Sequence, residues 1–172
     1  LSDPLNPTPL GAYVGAYVHD VTVRNDVAYA SFIYIGQTAI LDVSNPAAIE
    51  TLAVLSSPEG WDHQAWPTDD GRHLFTTHER AFSHLRTWNV EDLSTIVSVD
   101  EFQTGAGATV HNVYLRGNTA FVSYYTEGLQ VLDVTNPARM IPVGFYDTYA
   151  GSGLFNGDWS AFPFTRSGNV YL

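Results

Sequence analysis

Three of the six histidines in this chain recur in one local setting: His19 in VHDVTV, His63 in DHQAWP and His111 in VHNVYL. Each is followed by Asp, Gln or Asn, and then by an apolar strand, a turn and a second apolar strand. Imidazole is the commonest metal ligand in proteins. Three of them converging on one point can hold a transition metal with a position left open for water or substrate. From 19 to 63 and from 63 to 111 the intervals are 44 and 48 residues. Such distant residues share a site only if the fold returns the chain to the same place at each interval.

The intervening sequence supplies the means. Each unit ends in a third strand with a common signature, AILDVSNP, LRTWNVEDL and LQVLDVTNP. A period of roughly 40 to 50 residues with four short strands per unit marks the blade of a β-propeller. Alternation places Val21 with Val23 and Val113 with Leu115 on one face, and Arg24-Asn25-Asp26, Asp69-Asp70-Gly71 and Arg116-Gly117-Asn118 read as turns. The expected fold is all-β, a propeller with blades of four antiparallel strands. Residues 1–17 match the outer strand of a preceding blade, 18–59, 60–107 and 108–150 are blades, and 151–172 are a loop and the first half of the next. That is about three and a half blades, so the chain is expected to be part of a larger propeller. The glycine-rich loop from Asp147 to Asp158 is expected to cover one mouth of the channel.

Composition narrows the partners. The chain has 172 residues, 45% of them hydrophobic and 15% charged, and a net charge of −11 from 18 acids against seven bases, all of them Arg. Such a surface repels nucleic-acid backbones and anionic lipid and attracts cations. There is no apolar run long enough to span a membrane and no cysteine for a disulfide framework or thiolate chemistry. Nucleophile elbows, phosphate loops and dinucleotide fingerprints are likewise missing.

The third-strand signature resembles the LVIVD repeat of bacterial and archaeal surface proteins. HQAWPTDDGRHLFTTHE, HNVYLRGNTAFVSYYTEGLQVLDVTNP, VGFYDTY and FNGDWSAFPFTRSGNVYL resemble more specifically the choice-of-anchor B family. That resemblance implies an extracellular, cell-surface or periplasmic propeller, anchored differently in different species, with no established reaction. The chain departs from the pattern at His78, where an Asp is more usual before the Glu.

Two readings of the histidines stand side by side. In one, His19, His63 and His111 ring a channel mouth and hold one transition metal or calcium, with Asp20 and Glu79 as second shell or base, in an oxidase or hydrolase. Trp159 occupies the fourth equivalent position. In the other, each histidine bonds an aspartate of its own blade, such as Asp42 or Asp133, with Asn89 in the second blade. The protein is then a non-enzymatic scaffold that binds a protein or glycan at its loop face, where Trp61 and Trp159 line the mouth. Lesser candidates are a loop cation site at His78, Glu79 and His84, and Asp69-Asp70-Gly71, which reads as a hairpin turn rather than a calcium loop. Asp42, Asn89 and Asp133 are also placed to cap turns.

Overall fold

A computed structural model describes residues 3–105 and 107–172. Twelve strands form three four-stranded antiparallel sheets, each in sequential order. The first holds β1 (Asp20–Arg24), β2 (Val27–Phe32), β3 (Gln37–Asp42) and β4 (Glu50–Ser56). In the second are β5 (Asp62–Pro67), β6 (His73–His78), β7 (Leu85–Asn89) and β8 (Val97–Phe102). The third has β9 (Val113–Arg116), β10 (Thr119–Ser123), β11 (Leu129–Asp133) and β12 (Ile141–Tyr146). A short 3-10 turn at Ile33–Ile35 is the only helical element among the described residues, and none of them forms a helix able to cross a membrane. The protein is an all-β propeller built of four-stranded blades.

The blades stand face to face, and their cores lie between them. Tyr29, Ile40 and Leu55 of blade one meet Leu74 and Trp88 of blade two. Phe75 and Leu85 of blade two meet Val113, Val122, Tyr124 and Leu132 of blade three. Each large side chain so buried stabilises by about 1.5–3 kcal/mol, and the inter-blade contact supplies it. The first strands gather along the axis, since β5 packs on both β1 and β9.

Local chemistry explains the repeated signature. Asp42, Asn89 and Asp133 each accept the amide two residues on, from Ser44 at 2.8 Å, Glu91 at 3.0 Å and Thr135 at 2.8 Å. A second such bond follows at Asn45, Asp92 and Asn136. These side-chain turns end the third strand and launch the fourth. Asn25 and Asp26 at φ 50° and 62° make the tight hairpin of blade one. Asp70 closes its own hairpin by accepting the Thr68 hydroxyl at 2.6 Å and the Arg72 amide at 3.1 Å.

The flanking segments form no continuous strand among the described residues. Before blade one, Tyr13, Ala16 and Val18 pack on Ala28, Ala30 and Phe32. After blade three, Ala161 and Val170 cover Phe121 and Leu129, with single bridges at Tyr125–Asp158 and Phe162–Tyr171. Residues 1 and 2, part of the segment matched to an outer strand, and 106 lie outside the described residues.

Candidate functional site

The three repeated histidines meet where the first strands of the blades begin, the place where a propeller's channel has one mouth. His19 precedes β1, His63 is the second residue of β5, and His111 lies two residues before β9. The His19 and His63 ring centroids are 4.6 Å apart, and those of His63 and His111 4.1 Å apart. Asp42, Asn89 and Asp133 are engaged in their turns, and none bonds a histidine among the described residues. The blade-lock expectation therefore fails. These aspartates stand at the opposite end of their strands and cannot reach the mouth.

Glu79, the residue after β6, joins the cluster from blade two. One of its oxygens is 3.9 Å from His63 Nε2, and the other is 3.8 Å from His111 Nε2. Ligand atoms of His19, His63 and Glu79 all lie within 4.8 Å of one another. The sequence placed Glu79 behind the ring; the fold brings it in beside His19 and His63 as a candidate ligand. Asp20 sits near enough for His19 and His111 to act on its carboxyl, although burial dominates and raises it.

Burial favours the neutral form of His63 and His111. His63 is 5% exposed, and burial, together with the neighbouring His111 and His19, lowers it to about 3 against the opposing pull of the His111 carbonyl. Its buried Nδ1 makes no hydrogen bond of good geometry. Burial also lowers His111, opposed by the Trp159 carbonyl and Glu79. His111 Nδ1 lies 2.5 Å from that carbonyl, so Nδ1 carries the proton and Nε2 presents its lone pair to the mouth.

A β-bulge aims His63. Asp62 pairs with His78 and Gln64 with Thr77, leaving His63 as the extra residue with no partner opposite. Bulges re-aim side chains in this way beside functional sites. Beneath it lies a polar pair that sequence reasoning missed. Asp62 and His78 are fully buried, with carboxylate and ring nitrogen 3.7 Å apart. Asp62 accepts the Thr38 hydroxyl of blade one at 2.9 Å and also the Ser57 hydroxyl. Burial raises Asp62 and lowers His78, each opposed by the other, so both move toward their neutral forms. His78 is thus part of the interior, and the supposed loop cation site is divided. His84 instead pairs with Glu59 at 3.1 Å, and Glu59 also binds Arg86 at 2.5 and 2.9 Å. Burial works against the Glu59 charge, but Arg86 prevails and the carboxyl falls to about 2.

The rim is aromatic. Trp61 and Trp159 are exposed, Trp159 with its ring 5.5 Å from His111. Tyr17 and Tyr34 stack at 5.3 Å beside His19. Tyr125, which carried no motif, donates its hydroxyl to Glu79 at 2.5 Å, and burial and then Glu79 push its phenol up. Phe155 of the glycine-rich loop meets Tyr125 edge-on at 5.6 Å, so that loop does reach the mouth. Trp61, Phe82 and Tyr125 have φ of 57°, 66° and 39°. Bulky residues in this region are strained, and such strain gathers at functional sites.

Two stretches, residues 15–52 and 107–148, match the LVIVD repeat. Among curated proteins none matches the sequence. The fold is similar to a periplasmic gluconolactonase of Pseudomonas aeruginosa, with TM-score 0.68 and 14% identity over 90% of this chain and 46% of that one. It is also similar to a protein of Lactobacillus plantarum, with TM-score 0.66 and 14% identity over 77% of this chain and 42% of that one. The chain spans less than half the length of either. At that identity the likeness concerns the fold alone.

Proposed function

We propose that this propeller with LVIVD repeats holds a transition metal at its channel mouth on His19, His63 and Glu79, with His111 beside them, and acts there on a small substrate. The convergence of those three donors from three separate elements carries the reading. An ion with ligands at about 2.0–2.2 Å needs donor atoms roughly 3.4 Å apart, so side-chain shifts of about 1 Å close the set. Two imidazole nitrogens and one carboxylate suit zinc, manganese, iron or copper; calcium prefers six to eight oxygens. An ion in this place would polarise a carbonyl or a water for hydrolysis. The gluconolactonase of similar fold makes glucono-lactone the first ester to assay.

A second reading is a surface propeller that binds a protein or glycan partner without catalysis. It is favoured by the exposed rim of Tyr17, Tyr34, Trp61 and Trp159. In either case we place the protein outside the cytoplasm, on the resemblance to surface proteins. Metal content by plasma mass spectrometry, on protein purified without a histidine tag, separates the two. Near one equivalent of metal, lost in His63→Ala and Glu79→Gln, supports the centre. Metal-free protein whose melting is unmoved by added zinc, manganese, iron or copper overturns it and leaves the binding scaffold.

A further inference from the structure

We infer that the mouth also contains a subsite for one sugar-acid unit: a hydroxylated ring between Trp61 and Phe155, a ring hydroxyl donating to Glu79, and a carboxylate on Arg80. It shares Glu79 with the proposed metal centre and to that extent rests on that reading. A cavity of about 220 Å³ is lined by Trp61, Glu79, Arg80, Ala81 and Phe155. This is the volume of roughly seven waters, which suits a single substituted ring.

Trp61 is the strongest sign of a ligand. It is 47% exposed, so its indole does not serve the core, yet its backbone stays in the left-handed region. The Glu79 amide holds it there by donating to the Trp61 carbonyl at 3.0 Å. Beneath the turn, a Cβ on Gly36 would come within 2.7 Å of the Gly60 Cα, so the close approach of the two loops requires glycine. Strain maintained for an exposed aromatic face is what a stacking platform needs. Phe155 supplies the other wall. Its loop is tied down where the Asp158 amide donates to the Tyr125 carbonyl at 2.9 Å, next to Gly157, where a Cβ would strike that same carbonyl oxygen at 2.5 Å.

The polar groups choose the ligand. Glu79 accepts from Tyr125 through one oxygen, and its other oxygen lies 3.9 Å from His63 Nε2; a carboxylate oxygen has a second lone pair with which to accept a ring hydroxyl. Arg80 is the single base among the lining residues; it is exposed, and one of its N–H groups donates to the Glu59 carbonyl at 3.1 Å, which tethers the guanidinium at one point. A planar guanidinium is matched to a carboxylate.

Titration with glucuronate, glucose and glucosamine, followed by tryptophan fluorescence and calorimetry on both chelator-treated and metal-loaded protein, tests the subsite. Glucuronate should bind about tenfold more tightly than glucose, and glucosamine should be weakest. Trp61→Gly, which relieves the strained backbone, should lose about tenfold in glucuronate affinity with no fall in melting temperature. Arg80→Gln should remove the preference for glucuronate over glucose. Equal affinity for all three sugars, binding to neither form of the protein, or an unaffected Trp61→Gly variant would each overturn the subsite. Glucuronate binding to a protein that takes no metal would keep the subsite and sink the metal centre; metal binding without glucuronate binding would do the reverse.

Discussion

Blades one and two differ around the histidine that the repeat gives to both. In blade one the residue before the histidine is Val18, and β1 pairs with β2 in unbroken register from Asp20–Ser31 to Arg24–Val27. In blade two that place is taken by Asp62, the register slips, and His63 is bulged out. Blade two accepts a buried carboxyl and imidazole, and in return presents two donors, His63 and Glu79, beside the strained platform of Trp61. Equivalence in the repeat therefore fixes where a residue stands along the axis but not what it does. A blade of ordinary packing and one of costly polar packing meet at the mouth, which blade three completes with His111 and Tyr125.

The sharpest way to break this contrast is to remove the polar pair. Asp62→Ala leaves His78 and the Thr38 and Ser57 hydroxyls without their partner and should cost about 3 kcal/mol in urea unfolding. A loss below about 1 kcal/mol would mean that blade two is as plainly packed as blade one. The next effect is metal linkage. With added metal at a hundred times its dissociation constant the wild type should gain about 2.7 kcal/mol, and His63→Ala should gain none, as read by calorimetric melting.

Asp158 offers a third test, because it stands before Trp159 as Asp62 stands before His63. It is 3% exposed, both its oxygens lack a partner of good geometry, and burial raises its carboxyl to about 6 against the pull of Ser123 and the Ser160 amide. A raised folded-state value means that the folded protein holds this proton more tightly than the unfolded chain. The penalty is thus absent below about pH 4, grows as pH rises through about 6, and is full at pH 7. Asp158→Asn should stabilise by roughly 1–2 kcal/mol at pH 7, after discounting for partial solvation, and by nothing at pH 4. A flat pH profile for this variant would refute the assignment.

The smallest effect concerns the third-strand turns. Asn89→Ala should cost about 0.5 kcal/mol at any pH. The caps at Asp42 and Asp133 are ionised, and the hydroxyls and amides of Ser44 and Thr135 hold these carboxyls below the usual range. Their contribution is present above the ordinary carboxylate value and lost as pH falls beneath it. Acid should therefore loosen the first turn bond in blades one and three, while in blade two the acid-sensitive bond is the second, at Asp92, whose carboxyl Ser94 lowers likewise; hydrogen exchange of the Ser44, Glu91, Ser94 and Thr135 amides would show this.

Much of the fold was legible because it is local and repeated. Asn25-Asp26 demands a tight hairpin, and the LDV signature carries its own turn bonds, so neither depends on distant residues. The meeting of the histidines followed from the period alone. Glu79 as a donor, Tyr125 on Glu79, and His78 as an interior residue were not legible. Each depends on one unpaired residue in β5 or on a loop returning across another blade, and no local pattern records either. Asp42, Asn89 and Asp133 misled for the same reason: the repeat offered one of them to the histidine of each blade, and only their place at the far end of the strands excluded the pairing.

What the sequence determined by itself is the β-propeller, its four-stranded blades, the turns between them and the gathering of His19, His63 and His111, since strand alternation, turn chemistry and a fixed period each act within one unit. The tertiary structure alone decided which groups face one another at the mouth. The bulge at His63, the buried Asp62–His78 pair and the loop that carries Phe155 arise where blades press together, and there side-chain direction is set by packing between units rather than by the sequence within one.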